Sequence, residues 1–199
     1  MKLTDGLRIT GKIKIDTYRA GMVDAVTPYL DQRRFYRALP DTRAEVAAID
    51  EIIQDIKAAH HIRRAVECSN LVMDSPNYGL DIIIQRLAGI NTYSLNLLWI
   101  ELGTGTTAPT VNDTGLTTPS IRAAVSLQED YGATDAIVQA YIIDANLPNA
   151  TYGEVGSFVD GTSSIGSGQL FNHALISPTY TKVSGEDTTI EVDINLTNS

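Results

Sequence analysis

The distribution of apolar and polar residues along the chain indicates mostly β-structure. Apolar and polar residues alternate from Leu7 to Tyr18 and again from Thr189 to Leu196. This period of two is typical of strands that bury one face. Apolar runs that end at Gly, Asn or Pro turns predict further strands at residues 63–73, 121–127, 136–144, 152–159 and 169–176, the last ended by Pro178.

Two segments have the spacing of amphipathic helices instead. In residues 42–59, Thr42 and Glu45 fit a capping box, and polar residues face away from an isoleucine-rich stripe formed by Val46, Ile49, Ile52, Ile53 and Ile56. We expect this helix to pack on a sheet or on copies of itself from neighbouring subunits. Its candidate interface residues are Ile49, Ile53 and Ile56. A coiled coil is disfavoured because only about two heptads fit.

A second, shorter helix is predicted after residue 74. Ser75 is a suitable N-cap and Pro76 a suitable first helical residue, whereas Gly89 fits a C-terminal cap. The predicted buried stripe of this helix consists of Leu80, Ile83, Ile84 and Leu87. Residues 22–40 mix aromatic and charged side chains and predict no particular element.

Short strands at this spacing favour an antiparallel β-sandwich or jelly roll. Strand and helix patterns are mixed before residue 90 and almost pure strand after it, so we expect a mainly β chain of the α+β type. The predicted organisation is a single domain over residues 1–199. In it, residues 1–20 and 63–199 form the sandwich, and residues 22–62 are a helical insertion near the N-terminus. A turn is predicted at Asp130-Tyr131-Gly132.

Composition and charge narrow the function classes. The chain has 199 residues, of which 43% are hydrophobic, and a net charge of −9. Nucleic-acid binding requires basic patches that neutralise phosphates, so no nucleic-acid partner is expected. The sequence has neither an 18-residue apolar stretch nor a secretory leader, so no membrane partner is expected. Arginines cluster at residues 33–37 and 63–64, where we expect solvated charge or pairing with acidic neighbours.

Candidate chemistry is sparse. The sequence has no HExxH, CxxC or GxSxG pattern, and the adjacent His60 and His61 point in different directions and would chelate poorly. Cys68 lies in an apolar run and is interpreted as a core residue. We therefore expect no enzymatic activity, no catalytic residue, no metal and no cofactor. Three loops nevertheless leave Ca²⁺ binding as the alternative to simple turns: Asn112-Asp113, Asp144-Asn146 and Glu186-Asp187.

The most distinctive stretch is the long loop predicted between Ile100 and Pro119. We expect Gly103 and Gly105 to end the preceding strand, because glycine adopts backbone angles that other residues avoid. The residues that follow are rich in turn formers, with Leu116 as an anchor at the far end. Loops of this length are usually functional or disordered. We interpret this one as an ordered contact surface, with the interface candidates Gly103, Thr104, Gly105, Thr106, Thr107, Pro109 and Asp113.

The loop sequence also belongs to a wider set of motifs. They comprise GTGTTAP at residues 103–109, Asp113 with Leu116, Arg122, EVG and Phe158 in residues 154–158, and the closing alternating strand. Together with the short-helix sequence at residues 70–89, these motifs resemble structural proteins of tailed-bacteriophage virions. The resemblance covers about residues 63–199 and the first strand. The long helix at residues 42–59 departs from the family pattern.

The resemblance implies a non-enzymatic structural subunit. Its expected place is the tail, baseplate or fibre-attachment region of a tailed-phage virion that is assembled in the host cytoplasm. Its expected partners are other virion proteins and copies of itself in a symmetric homo-oligomer. One alternative is a capsid decoration protein on the phage head. Another is a carbohydrate-binding receptor module, which would use exposed aromatic rings. Trp99 lies in an apolar strand and is expected in the core instead, which disfavours this alternative.

Overall fold

The computed structural model describes residues 7–131 and 134–198. Within these residues the α-helices are α1 (Met22–Arg37), α2 (Arg43–His60) and α3 (Gly79–Leu87), and a short 3₁₀ helix covers Asp144–Asn146. The strands are β1 (Leu7–Thr10), β2 (Lys12–Arg19), β3 (His61–Ser69), β4 (Leu71–Val72), β5 (Leu97–Gly103), β6 (Pro119–Ala124), β7 (Leu127–Tyr131), β8 (Asp135–Ile142), β9 (Thr151–Val159), β10 (Gln169–Thr181) and β11 (Glu186–Asn198).

The strands form two antiparallel sheets. Sheet A has the strand order β3-β2-β11-β8-β7, with β1 paired to the end of β11, and sheet B has the order β4-β10-β9-β5-β6. Strands make up 43% and helices 25% of the structure, so the predicted mainly β fold with a helical part is confirmed. None of the helices in the described part of the chain is long and apolar enough to cross a membrane. Residues 1–6, which the prediction includes in the sandwich, lie outside the described residues.

The main hydrophobic core lies between the two sheets. Ile15, Val138 and Ile190 of sheet A share one apolar cluster with Leu102 and Val155 of sheet B, and each is at most 5% exposed. Side chains alternate between the two faces of a strand, so the period of two in the sequence corresponds to burial between the sheets. The alternation is strictest in β11, which lies between β2 and β8 inside sheet A.

Helices α1 and α2 pack together against the outer face of sheet A. Their shared apolar cluster consists of Tyr18, Met22, Val23, Val26, Leu30, Ile49 and Ile53, with Ile56 and Tyr141 beside it. Ile49 and Ile53 are therefore core residues of the chain itself, at 6% and 3% exposure. Ile56 is half-buried, and Ile52 is 39% exposed. The α2 helix thus lies over a sheet, which is one of its two predicted environments.

The α1 helix occupies the segment for which the sequence predicted no element. Its apolar residues follow a helical spacing only in the first half, and Pro28 and a run of arginines obscure the pattern. Arg33 is nevertheless 3% exposed. It pairs with Asp50 of α2, with 2.5 Å between Nε and Oδ1, and with Glu129 of β7. Arg33 is therefore buried although it is charged, and it connects both helices to sheet A.

The position and buried face of α3 differ from the prediction. The helix begins at Gly79, later than the predicted start, and its most buried side chain is Ile82 at 1% exposure. Ile84 and Leu87 of the predicted stripe are 61% and 79% exposed. The reason is the close packing of Gly79, where a Cβ would lie 2.1 Å from the carbonyl oxygen of Met73. This contact turns the face that contains residues 79 and 82 inward.

Of the three predicted helix caps, the one at Gly89 is confirmed, whereas those at Thr42 and Ser75 are wrong; Tyr78 is the N-cap of α3 because the helix begins at Gly79. The Thr42 hydroxyl donates to the carbonyls of Tyr36 and Leu39, at 2.5 and 3.1 Å, and makes no cap bond to α2. The predicted capping box is therefore absent, because the hydroxyl binds the preceding turn instead. At the end of α3, Gly89 has a φ of +80°, and its amide donates to Arg86 at 3.2 Å. This is the left-handed C-terminal cap that the sequence predicted.

Two strand boundaries also differ from the prediction. The predicted turn at residues 130–132 is wrong for Asp130 and Tyr131, which end strand β7, while Gly132 lies outside the described residues. The reason is that the single strand predicted at residues 121–127 is wrong: the chain ends β6 of sheet B at Ala124 and begins β7 of sheet A at Leu127, which extends to Tyr131. Strand β10 continues through Pro178, where a register shift between Leu175 and Tyr180 accommodates the proline.

Ile53→Asp tests the core role of α2. The Ile53 side chain is 3% exposed, so the mutation places an unpaired carboxylate against α1 and is expected to lower the free energy of unfolding by about 3 kcal/mol or more. The matched control is Ile52→Asp at the 39% exposed neighbouring position, with an expected change of about 0.5 kcal/mol. Urea unfolding followed by circular dichroism measures both, and equal effects would contradict the assignment.

Candidate functional site

The loop at residues 104–118 joins β5 to β6 and is held by one buried carboxylate. Glu154 on β9 is 0% exposed. It accepts hydrogen bonds from three loop amides, Gly105 at 3.2 Å, Thr117 at 2.9 Å and Thr118 at 2.6 Å. A further contact joins it to Nε2 of His173 at 3.0 Å. One side chain therefore binds both ends of the loop, and the predicted long connection between two strands is confirmed.

Glycines make room for this carboxylate. A Cβ at Gly103 would lie 2.5 Å from Oε1 of Glu154, and a Cβ at Gly105 would lie 2.4 Å from the same atom. A Cβ at Gly153 would lie 2.3 Å from the carbonyl oxygen of Gly105. Gly103 and Gly105 do not have positive φ values, so the predicted reason for these two glycines is wrong. Both glycines leave space for the Glu154 side chain, which a side chain at either position would displace.

A histidine extends the network to the tip of the loop. His173 on β10 lies between Glu154 and Asp113, with 2.8 Å between its Nδ1 and Oδ2 of Asp113. Asp113 also accepts hydrogen bonds from the amide and hydroxyl of Thr110, at 3.0 and 2.7 Å. Burial acts to raise the pKa of the Asp113 carboxyl, but the hydrogen bonds from Thr110 and His173 outweigh it and lower that pKa below its ordinary value. The predicted turn at Asp113 is thus fixed to sheet B.

A second buried ion pair lies on the same face of sheet B. Arg122 of β6 donates to Glu101 of β5 at 2.5 Å, and the two side chains are 1% and 0% exposed. The guanidinium lies over the rings of Trp99 and Phe158, at 5.1 and 4.9 Å from their centroids, in cation–π geometry. Glu101 also accepts the Gly166 amide at 2.7 Å. This pair therefore fixes the connection between β9 and β10.

The candidate interface residues divide into a supporting set and an exposed set. Gly103 and Gly105 are buried beside Glu154, and Pro109 and Asp113 are half-buried. The exposed candidates are Thr104, Thr106 and Thr107. Leu116 is 8% exposed and occupies the predicted anchor position at the far end of the loop. The loop therefore presents hydroxyls outward and keeps its one charged residue against His173.

Sequence analysis missed Glu154 and His173 as the partners of this loop. No spacing rule connects residues so far apart in the chain. A signal is present in the strands themselves, since Glu154 and His173 interrupt the apolar runs TYGEVGSFV and LFNHALI. A charged or polar residue inside a buried strand requires a hydrogen-bond partner.

The chemistry of the network is that of a structural clamp. Both ring nitrogens of His173 face carboxylate oxygens, so neither nitrogen is available to take a proton from a substrate. The His173 side chain is also 1% exposed. Across residues 7–131 and 134–198, no group of His, Cys, Asp and Glu residues is arranged to hold a metal ion.

The other loop carboxylates considered for Ca²⁺ are bonded within the protein. Asp144 pairs with the buried Lys182, and Glu186 pairs with Arg63 at 2.8 Å. Asp187 accepts a backbone amide in the first turn of α1, where a carboxylate stabilises the helix N-terminus. These contacts support the interpretation of the acidic pairs as structural residues.

The remaining candidate residues also have structural contacts. Arg37 contacts Asp130 at 2.6 Å, and Arg64 contacts Asp16 at 3.1 Å, so arginines of both clusters pair with acidic neighbours as predicted. Cys68 packs against the main core. Burial raises the pKa of its thiol to about 11, which keeps it protonated at neutral pH and unreactive.

No protein-family model matches this chain, and neither a curated protein nor a solved structure matches it. The fold nevertheless brings together the residues on which the resemblance to virion proteins was based. They lie along neighbouring strands of sheet B or in the loop bound to it, and comprise Gly103, Gly105, Asp113, Leu116, Arg122, Glu154, Gly156 and Phe158. These motif residues thus have one shared structural task, the placement of two connections over one sheet.

Glu154→Gln tests whether this carboxylate holds the loop. The substitution keeps the size but directs an NH₂ group at N–H donors. We expect the free energy of unfolding to fall by about 2 to 3 kcal/mol and the amides of Gly105, Thr117 and Thr118 to exchange faster with solvent. Hydrogen exchange read by NMR and urea unfolding measure these effects. The control is Glu51→Gln on the exposed face of α2; unchanged protection of the three amides would contradict the clamp.

Asp113 makes the loop sensitive to acid. The pKa of its carboxyl is lower in the folded protein than its ordinary value of 3.8, so at this site the folded state binds fewer protons than the unfolded chain. Its contribution to stability is complete above the ordinary pKa and is lost as pH falls through the folded pKa. The difference in unfolding free energy between wild type and Asp113→Asn should therefore shrink below about pH 4. Urea titrations across this range measure it, and a constant difference would contradict the assignment.

Proposed function

We propose that this chain is a non-enzymatic structural subunit of a tailed-phage virion, in the tail, baseplate or fibre-attachment region. It assembles with other virion proteins and with copies of itself. The observation that carries the proposal is the loop at residues 104–118, which is exposed on its outer side and fixed by Glu154 on its inner side. A surface that is already ordered loses little conformational freedom on docking. Repeated contacts of this kind suit a symmetric assembly, where modest interfaces add through avidity.

The outer surface of the loop suits contact with another protein. Thr104, Thr106 and Thr107 are exposed, and their hydroxyls donate and accept hydrogen bonds. Asp113 is the one charged residue of the loop and is bonded to His173. A neutral, small surface has a low desolvation cost when a partner covers it. Pro109 further restricts the free loop, which reduces the entropy lost on binding.

The arrangement of the ionisable residues supports a non-enzymatic role. Glu154, His173 and the pair of Glu101 with Arg122 are each at most 1% exposed at the side chain. The hydrogen bonds that these side chains make go to loop backbone, to Asp113 or to one another. An acid–base catalyst needs a group within reach of a substrate proton, and these groups are covered by the loops that they hold.

The two alternatives make different demands on the structure. A capsid decoration protein would use the same kind of ordered loop, so its distinction from a tail protein is the place of attachment. A carbohydrate-binding module needs an aromatic ring face on which a sugar can stack. The guanidinium of Arg122 covers a face of Trp99, which disfavours that ring as a sugar platform.

Exchange of residues 106–109 for Gly-Ser-Gly-Ser tests the docking role. The exchange keeps the bonds of Glu154 to Gly105 and of Asp113 to Thr110, so we expect the unfolding free energy to change by no more than about 1 kcal/mol. Incorporation into particles should fall at least about tenfold, because the preordered contact surface is lost. The assay is complementation of a phage that lacks its own copy, with this protein counted in purified virions.

A matched control separates docking from general damage. The same exchange at residues 162–165, an exposed segment between β9 and β10, should leave incorporation unchanged. Normal incorporation of the 106–109 variant would refute the docking role of the loop. Antibody labelling of separated heads and tails in wild-type virions then distinguishes a tail subunit from a decoration protein.

A further inference from the structure

A cavity of about 850 Å³ opens into the main hydrophobic core. Its wall includes Leu97, Val138 and Phe171, which are core residues at 5–7% exposure. The wall also includes Val125 and Ile194, which pack against the same core but are only half-buried. Small-molecule sites in proteins have volumes of about 300–1,000 Å³. The opening is therefore large enough to hold a ligand.

The cavity lies where the chain crosses from one sheet to the other. Val125 and Ser126 form the crossing from β6 of sheet B to β7 of sheet A, and both residues line the cavity. On the side of sheet A, the lining includes Ala136 of β8. Ala136 shares a face of the strand with the core residue Val138, because side chains two positions apart in a strand point the same way. A short side chain at this inward position leaves space between the sheets.

The interior of the cavity suits an apolar chain. The apolar residues that line it are aliphatic apart from Phe171. The side-chain amide of Gln128, a polar residue of the lining, already donates to the carbonyl of Leu97 at 2.7 Å. A polar group placed among these side chains would lose its hydrogen bonds to water without replacement. The part of a ligand that enters the core is therefore apolar, as an alkyl chain is.

The charges of the cavity wall come from α1 and β7. The lining carries three arginines of α1, namely Arg33, Arg34 and Arg37, and two carboxylates, Glu129 and Asp130. Arg33 pairs with Glu129, and Arg37 pairs with Asp130 at 2.6 Å. These five are the charged residues of the lining within the described part of the chain. Arg34 is thus left without a carboxylate partner in the wall, and the lining has a net positive charge.

Arg34 has donors to spare for an anion. Among residues 7–131 and 134–198 its one ion pair is with Asp31 of the same helix, at 3.6 Å, and both side chains are 69% exposed. Such an exposed pair contributes little stability. One N–H of the guanidinium donates to the carbonyl of Ser126 at 3.3 Å, which holds the group beside the crossing that lines the cavity. The guanidinium has five N–H donors, and a carboxylate can accept two of them side by side.

We propose that this cavity binds an amphipathic carboxylate such as a fatty acid, with the alkyl chain among the core side chains and the carboxylate on Arg34. Burial of the alkyl chain supplies affinity, because apolar surface is removed from water on both partners. The net positive charge of the lining selects an anionic head group over a neutral or cationic one. The inference goes beyond the virion role and does not depend on docking of the loop at residues 104–118.

Titration of the full-length protein with decanoate tests the head-group contact. Isothermal calorimetry below the micelle-forming concentration should show decanoate binding more tightly than decanol, which has no carboxylate. Arg34→Gln should weaken decanoate binding about tenfold or more, because a charge-assisted pair is lost, and should leave decanol binding unchanged. The matched control is Arg19→Gln at an exposed arginine of β2 that does not line the cavity, which should bind decanoate as the wild type does.

Ala136→Leu tests the place of the alkyl chain. The larger side chain occupies space that the ligand needs, so decanoate and decanol should both bind about tenfold or more weakly. Ala58→Leu adds the same atoms at an exposed position of α2 and should change neither affinity. Circular dichroism of each variant reports whether it is folded.

Methyl NMR of the wild type provides a measurement that requires no variant to fold. On addition of decanoate, the methyl signals of Ile83, Leu95 and Val125 should shift, because these side chains line the cavity. The methyl signals of Ile49 and Ile53 should not shift, because these residues lie in the separate apolar cluster beneath α2.

Several results would overturn the proposal. They are the absence of decanoate binding, equal affinity for decanol or decylamine, undiminished binding to folded Ala136→Leu, and methyl shifts confined to residues outside the cavity. All of these measurements use purified protein, whereas the virion role is tested by incorporation into particles. A chain that binds decanoate but is never incorporated would refute the virion role alone, and an incorporated chain that binds no decanoate would refute the cavity ligand alone.

Discussion

The buried carboxylate of Glu154 is the constraint on which the candidate site depends. A charge without exposed surface is destabilising by several kcal/mol unless hydrogen bonds replace its lost water. Here the replacements are the amides of Gly105, Thr117 and Thr118 together with His173. These amides are at opposite ends of the loop, so the charge is satisfied only when the loop is closed. The conformation of the loop is thereby coupled to the folding of sheet B.

The two outer faces of the sandwich are covered by different kinds of contact. Over sheet A, α1 and α2 bury an apolar cluster and add the ion pair of Arg33 with Asp50. Over sheet B, two connections are held chiefly by buried charges, Glu154 under one and Glu101 under the other. Apolar packing is tolerant of small displacements, whereas hydrogen bonds to a carboxylate fix both distance and direction. Charged contacts therefore suit loops whose position must be defined.

Local sequence signals predicted most of the strands and α2 because their cause is local. The alternation around Ile190 and the stripe around Ile53 each reflect burial of one face, and burial was found at both residues. The signals failed where a distant residue changed the environment. Arg33 is charged but buried because Asp50 and Glu129 neutralise it, so α1 did not have the pattern of an amphipathic helix.

The position of the loop was predicted, but the residues that hold it were not, for the same reason. Turn formers and glycines located the loop, whereas the partner that orders it lies in strand β9, distant in sequence. Gly103 was assigned to backbone freedom because that is the common use of glycine. Its actual use, space for Glu154, depends on a contact between strands. Spacing within one segment contains no information about such a contact.

The buried charges also connect the loop to the edge of sheet B. The amide of Thr104 donates to the carbonyl of Thr118 at 2.9 Å, so the loop closes directly at the start of β6. On the same pair of strands, β5 and β6, Glu101 holds the guanidinium of Arg122 over the sheet. Glu101 also accepts the amide of Gly166, so this ion pair fixes the neighbouring connection between β9 and β10. A buried ion pair adds little net stability compared with apolar packing, so its value in this chain lies in the geometry that it imposes on the connection above it.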